Sequence, residues 1–548
     1  MADNGKVSAH ARTLNAYTLL IVALSVVAGM VFGLDTGSTG PAMEMAGFRQ
    51  QIGWPAKPQN LPTCGPDAYV DPSSLTSKKG FIVSVFHAGA MIGAPLGGEL
   101  SDRFGRRITI LLACLLFIAG TMWQTFAGFT QPGCGDCLYR DMLLGRLVGG
   151  IGLGFMLTTV PVFVSEMAPA QLRGMINSSF QFAVNAGILV CALVESLVEG
   201  ERNGWRYTLA LQAIPALIVA FSTISFLPES PRFLVKKGCD TEALGVLERL
   251  AGTVPNAKEI AAAELREIQE ELSQIEAAGS LSWADVFRGP ALTALLCGLG
   301  VISGQNVTGI NYFVQFGPSI VQNFCFSPWI GNIALSVVNL IASGMASFVC
   351  DRFGRKKLLL VGAYVMSASF LLNSIVFTVV PDINNNKPAG IFILVMVLIF
   401  MAAFGLSWGP MGWLVPSEIF PLNMRGKGMG LAVTANMIAS ILFGDYGPGW
   451  LSSPDVLGVT GTWWLLTFFN FAYVLPIAIY LLPETKTLTL EEIPKAFNYQ
   501  FGGLPDDRSR SMLAFCKKNA QQAKDMTLCR EPDLRAGFDV QRKAETAA

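Results

Sequence analysis

Gln305, Asn306 and Asn311 lie in the run Gln305-Asn306-Val307-Thr308-Gly309-Ile310-Asn311, inside a stretch that is otherwise apolar from about 290 to 322. Carboxamides donate and accept hydrogen bonds without carrying charge, and in an apolar span they are costly unless partnered. Together they suit a neutral ligand rich in hydroxyl groups; taken singly, each is also explained by hydrogen bonding between helices. Gly309 and Gly317-Pro318 allow this helix to break and turn its backbone toward a cavity, which is tolerated only away from lipid. A second kind of chemistry is offered by Asp35, in Phe32-Gly33-Leu34-Asp35-Thr36-Gly37, and Arg146, in Gly145-Arg146-Leu147-Val148-Gly149-Gly150. An ionisable residue inside an apolar span is a functional hypothesis whose partner has to be named. Burial disfavours a carboxylate and a nearby guanidinium favours it, so an acid held between the two can take up and release a proton. The alternative is a static ion pair.

A third set of residues recurs. Ser165-Glu166-Met167-Ala168-Pro169 with Arg173-Gly174 returns as Ser417-Glu418-Ile419-Phe420-Pro421 with Arg425-Gly426, and Asp102-Arg103-Phe104-Gly105-Arg106 returns as Asp351-Arg352-Phe353-Gly354-Arg355. Pro228-Glu229-Ser230 returns less closely as Pro483-Glu484-Thr485. Glu166 and Glu418 are 252 positions apart, Asp102 and Asp351 249, Pro228 and Pro483 255. One order at nearly one offset indicates a duplicated unit. Acids and bases that recur together at span ends predict ion pairs locking one side of the molecule; charges that merely set topology or snorkel to the interface are the alternative.

The elements that position these groups follow from composition. Of 548 residues, 52% are hydrophobic and 14% charged, with zero net charge, and mean hydropathy is +0.47. So few charges do not cover a water-facing surface, and a neutral chain gives no reason to expect a nucleic-acid partner. The 56 glycines and 29 prolines sit within apolar runs, as in membrane helices. About twenty apolar residues cross a bilayer. Such spans are predicted at about 17–37, 81–100, 108–128, 139–164, 175–197, 205–227, 290–322, 328–349, 357–379, 389–416, 427–447 and 462–482. The fold class is therefore an all-α membrane protein of twelve transmembrane helices in two six-helix halves, 17–227 and 290–482. A cytoplasmic helical linker at 228–289 joins them, between cytoplasmic tails at 1–16 and 483–548. The first span is too long for a signal-peptide core and lacks a cleavage site, so it is expected to be retained. Arg103, Arg106 and Arg107 after the second span, and Arg352, Arg355, Lys356 and Lys357 after the eighth, place those loops and both termini in the cytoplasm. Residues 38–80 then form an outer lid. Cys134-Gly135-Asp136-Cys137 could be read as a redox or metal motif, but no second pair or histidine cluster accompanies it. A disulfide tying outer loops, among Cys64, Cys134, Cys137 and Cys325, is expected instead. Neither a resident metal nor another cofactor is expected.

These motifs, with Pro228-Glu229-Ser230-Pro231-Arg232-Phe233-Leu234 after the sixth span and Pro483-Glu484-Thr485-Lys486 after the twelfth, resemble the sugar porter family of the major facilitator superfamily over about residues 17–495. The resemblance implies a rocker-switch transporter with its site between two halves near the midplane. It implies a monosaccharide site of Gln181, Gln305, Asn306, Asn311, Asn339, Trp413 and Asn436, the tryptophan lining the sugar's ring face. It also implies a cytoplasmic gate of Asp102, Arg103, Arg106, Glu166, Arg173, Glu229, Arg232, Asp351, Arg352, Arg355, Glu418, Arg425 and Glu484. Two departures bear on preference: Asn306 stands where relatives carry a second Gln, and Met437 where many carry Trp. Proton-coupled relatives carry Asp and Arg at the positions of Asp35 and Arg146, so the resemblance implies proton symport of a hexose such as glucose or fructose. An uncoupled facilitator and a sugar sensor are the alternatives; the chain offers no nucleophile–base pair, metal cluster or phosphate loop for an enzyme. A monomer in the plasma membrane, with sugar, proton and lipid bilayer as its partners, is the expectation.

Overall fold

A computed structural model describes residues 16–55, 73–129, 133–167, 173–252, 256–278, 283–314, 328–380, 386–420, 424–445 and 457–482. Its elements are helical. The first half contains α1 (Ala16–Glu44), α2 (Ala46–Ile52), α3 (Ser73–Phe104), α4 (Arg106–Thr125), α5 (Gly135–Met167), α6 (Arg173–Val198), α7 (Gly204–Leu211) and α8 (Ala213–Ser225). A linker of α9 (Pro231–Lys236), α10 (Asp240–Ala251) and α11 (Ala257–Ala278) follows. The second half contains α12 (Gly289–Val307), α13 (Pro328–Phe353), α14 (Arg355–Val379), α15 (Lys387–Leu406), α16 (Trp408–Ile419), α17 (Arg425–Ser440) and α18 (Gly458–Phe469). Among the described residues, eleven helices are long and apolar enough to cross a membrane, and a shorter apolar helix, Gly331–Ala346, supplies the eighth span.

The surface of the bundle is apolar where a soluble protein would be polar. Leu197, Phe221, Val361 and Phe348 are 82, 64, 63 and 71% exposed, as expected of side chains facing hydrocarbon. The polar groups point inward, where only other helices can satisfy them. Small residues let the helices close up: α1 lies on α6 because Gly33 faces the Val184 backbone and Gly37 faces Ile188 and Cys191. Between the halves, α3 packs along α17 and α6 along α13.

Several expectations change in detail. The first span runs on to Glu44 and the second starts at Ser73, so much of the expected lid at 38–80 is helix. Hydropathy marks where the hydrocarbon ends, and the backbone bonding that continues a helix into the headgroup region is invisible to it. The seventh span breaks where expected: Gly309 has φ +89°, a left-handed conformation that favours glycine, and the Asn470 amide donates to the freed Thr308 carbonyl at 3.2 Å. Gly317-Pro318 lies outside the described residues. The tenth span is divided at Ser407 into α15 and α16. Cys134 and Cys137 are bonded to each other, so the disulfide closes a turn at the start of α5 and does not tie separate loops; Cys64 and Cys325 lie outside the described residues.

Candidate functional site

The seven residues expected at the binding site form one hydrogen-bonded network at the junction of the halves. Gln305 Nε2 donates to the Gly409 carbonyl at 2.9 Å and to Gln181 Oε1 at 3.4 Å. Gln181 Oε1 also accepts from Trp413 Nε1 at 3.2 Å. Gln181 Nε2 donates to Asn185 Oδ1 at 3.3 Å, and Asn339 Nδ2 donates to the same oxygen at 3.2 Å. Asn436 Nδ2 donates to Gln305 Oε1 at 3.4 Å and to the Ile302 carbonyl. Past the break at Gly309, Asn311 Nδ2 reaches Asn306 Oδ1 at 2.9 Å and Ser440 Oγ at 2.8 Å. Asn306 Nδ2 donates to the Asn436 carbonyl at 2.8 Å.

The broken helix explains this convergence. With the turn at 308–309, Asn311 folds back toward Asn306, which an unbroken helix would hold on a different face five residues away. Trp413 is walled by aromatic edges, Phe180 at 5.4 Å and Phe32 at 6.2 Å between ring centroids. Met437, beside Asn436, is fully buried. The sequence reading missed Asn185, Ser440 and His87, whose Nε2 lies 3.3 Å from Ser440 Oγ across the two halves. Asn185 and Ser440 each stand four residues after a predicted amide, one helical turn on the same face; that spacing was the available signal.

Asp35 and Arg146 also meet. Arg146 Nη1 lies 2.6 Å from Asp35 Oδ1, with both side chains at most 2% exposed. The guanidinium further donates to Thr39 Oγ1 at 2.7 Å and to the Ile82 carbonyl at 3.3 Å, and it sits 4.2 Å above the Phe86 ring. A carboxylate buried with a guanidinium that has other fixed partners is held between desolvation and attraction. Phe32, one turn before Asp35 on α1, links this pair to Trp413.

At the end of the bundle bearing the repeated motifs, the duplication is visible as geometry. Arg106 grips Glu166 through Nη2 at 2.9 Å and Nε at 3.0 Å, and Arg355 reaches Glu418 at 3.2 Å. Arg106 also pairs with Asp102 at 3.4 Å. Gly105 and Gly354, at φ +98° and +89°, start the helices that present the two arginines. Glu229 caps the first of these by accepting from the backbone N–H of Arg106 at 2.9 Å and of Arg107 at 3.2 Å. Burial pushes the Glu229 carboxyl above the usual carboxylate range, against the pull of those amides and of Arg106. The halves touch here: Gly426 of α17 leaves no room for a side chain beside the Asp102 carboxylate of α3, and Arg425 is within electrostatic reach of Glu166. Arg425 Nε contacts the Phe420 carbonyl at 3.4 Å. Arg232 is half-buried at the start of α9. Arg103 departs from the expectation, lying exposed over the Phe104 ring at 5.4 Å; it points outward from the helix end that turns Arg106 inward. Glu484 and the side chains of Arg173, Asp351 and Arg352 lie outside the described residues. Arg107, read from the sequence only as a topology-setting charge, donates to the carbonyls of Thr223 and Ile224 at the end of α8.

Two repeated halves, a polar junction between them and a lockable end define a membrane transporter. The profile of the family described as "Sugar (and other) transporter" matches residues 21–497. The H(+)/hexose cotransporter 2 of Parachlorella kessleri is 30% identical, over 91% of this chain and 91% of its own. The D-xylose transporter of Levilactobacillus brevis is 28% identical, over 88% of this chain and 97% of its own. Among solved structures, the major facilitator superfamily proton:xylose symporter XylE bound to 6-bromo-6-deoxy-D-glucose is 28% identical with a TM-score of 0.74, over 88% of this chain and 99% of that one. The inward-open form of XylE from E. coli gives 0.63 at 27% identity, over 87% and 99%. The chain belongs to the sugar transporter family of the major facilitator superfamily.

Proposed function

We propose that this transporter moves a monosaccharide, a hexose such as glucose or fructose, together with a proton through alternating access between its two halves. The sugar is held by Gln181, Gln305, Asn306, Asn311, Asn339 and Asn436, its ring face against Trp413. The network's 3.2–3.4 Å amide contacts are the ones a sugar hydroxyl displaces at little cost; the 2.8–2.9 Å contacts keep the frame.

The observation that carries symport over facilitated diffusion is the buried Asp35–Arg146 pair. Ionised, Asp35 ties α1 to α5. Protonated, it loosens that tie, and α1 moves with Phe32 against Trp413, so proton and sugar occupancy favour the same rearrangement. A ligand shifts such an equilibrium only by its differential affinity for the two states. A proton crossing about 100 mV contributes about 2.3 kcal/mol, which at about 1.4 kcal/mol per decade supports roughly fiftyfold sugar accumulation. The motif-bearing end acts as the cytoplasmic gate: Arg106–Glu166 and Arg355–Glu418 each brace one half, the halves meet where Gly426 lies against Asp102 and Arg425 faces Glu166, and both termini are on that side of the plasma membrane. The test is uptake of a panel of labelled hexoses, pentoses and polyols in transport-deficient cells, with and without a protonophore. Concentrative hexose uptake abolished by the protonophore is expected; uptake that never exceeds the external concentration and ignores the protonophore makes the chain a facilitator.

A further inference from the structure

Glu195 takes part in neither the amide network nor the Asp35–Arg146 pair, yet it is fully buried on α6, inside a membrane span. Its Oε1 accepts only a long contact from the Cys191 thiol at 3.6 Å, and Oε2 is buried without a hydrogen-bond partner. Among the described residues no basic side chain pairs with it. An acid in an apolar interior without a compensating cation is costly to ionise and marks a functional position.

Its place in the fold says which function. Helix α1 faces α6 through Gly33 on Val184, Gly37 on Ile188 and Cys191, and Gly47, beyond α1, on Arg202. In that register Asp35 is level with residues 186–190 of α6. Glu195 therefore stands five to nine residues further outward, about 10 Å at about 1.5 Å per residue. Between the two carboxyls lies Cys191, whose thiol has both Ser38 and Asp35 in its surroundings. Ser38 in turn donates to the Asp35 carbonyl at 3.2 Å and accepts from Gln212. The other titratable groups on elements packed here are engaged or face away. Glu44 on α1 is paired with Arg49 at 3.3 Å and with Lys79. Arg146 on α5 is committed to Asp35. Arg206 on α7 donates to the carbonyls of Thr125 and Ala127, and Tyr207 is exposed. Residues 328–339 of α13 carry no charge.

We propose that Glu195 is a second proton-binding carboxyl, an outer station through which Asp35 is loaded. Glu195 passes its proton inward by way of the Cys191 thiol and Ser38 hydroxyl, each accepting one proton and releasing one, the Ser38 hydroxyl turning from the Asp35 carbonyl to the Asp35 carboxylate for the last transfer, so that Asp35 becomes the acid. The Glu195 carboxylate is then re-protonated from external water, and one proton has moved inward. The inference rests on the symport reading.

The test is Glu195→Gln, which keeps the shape and neutrality of the protonated acid but carries no exchangeable acid proton. Exchange of labelled against unlabelled glucose across the membrane, which needs no net proton movement, should match the wild type. Net uptake should become slow near neutral external pH and recover on acidification. Half-maximal uptake should require about tenfold more external protons, a shift of one pH unit. If the Glu195→Gln protein does not reach the membrane, Cys191→Ala, which interrupts the same path, should move the profile in the same direction. A variant profile that superimposes on the wild type, while the wild type draws sugar-dependent current, overturns the relay and leaves symport standing. A wild type that draws no such current removes the symport reading and the relay together.

Discussion

Gln305 is the side chain on which the proposed sugar site turns, because among the described residues it alone joins α6, α16 and α17 to the broken seventh span. Replacing it with alanine removes a firm bond to the Gly409 carbonyl at 2.9 Å and two weaker contacts, to Gln181 and from Asn436, both at 3.4 Å. Gln181 keeps its bond from Trp413 and Asn436 its bond to Ile302. The Gly409 carbonyl, inside helix α16, loses its side-chain bond, and a bound sugar loses one two-way partner, which leaves a hydroxyl unpaired in the site. A buried group without its partner costs about 1–3 kcal/mol. At about 1.4 kcal/mol per decade, the half-saturation for sugar should rise roughly five- to a hundredfold. Initial-rate uptake of labelled glucose over a concentration series gives this number, and surface labelling shows that the amount of protein in the membrane is unchanged. Half-saturation within twofold of wild type, at equal surface amount, would refute the reasoning.

Three further outcomes are expected. Glu166→Gln removes the partner of a buried Arg106 and should weaken the closed motif-bearing end, where losing one member of a buried pair costs about 3–5 kcal/mol; cysteines placed on either side of the cavity should become more reactive from the cytoplasm, and an unchanged labelling pattern would reduce the pair to a topological role. Gly309→Ala forces a side chain into a left-handed turn with Phe370 at 3.0 Å; at about 1–2 kcal/mol of backbone strain, the Asn311 arm should detach and sugar affinity fall, whereas unaltered transport would mean that the break tolerates other conformations. Because burial raises the Glu229 carboxyl, its contribution to stability is fully present below the ordinary carboxylate range and is lost as pH rises through its raised value. Glu229→Gln should flatten that part of the stability–pH curve of the detergent-solubilised protein, measured by thermal unfolding, and an unchanged curve would contradict it.

The amide network proposed as the sugar site was legible because carboxamides inside apolar spans are anomalies that need an explanation, and a resemblance over whole motifs supplied their positions. Ser440 and His87 were not legible for the opposite reason. A serine is common in membrane helices, and a single histidine in a span does not announce which helix it will meet. The arginine motifs showed that pairs would form but not which arginine would turn inward: Arg106 and Arg355 are buried, while Arg103 on the same loop is exposed. Only the position of the left-handed glycine, immediately before each buried arginine, decides this. Hydropathy found the spans but placed the ends of α1 and α3 several residues short, since their outer turns are less apolar while the backbone bonds continue. Glu195 was passed over because it lies one turn from the end of its span, where an acid is unremarkable in sequence and only burial distinguishes it.

The claim at the centre of this account is that Asp35 carries a proton with the sugar, and sugar-induced inward current in cells expressing the wild type and Asp35→Asn tests it most directly. Asparagine fills the same space opposite Arg146 but binds no proton. The account predicts a current in the wild type that rises with hexose and with external acidity, no current in Asp35→Asn, and sugar exchange that persists in both. A hexose-induced current in Asp35→Asn equal to that of the wild type would contradict it.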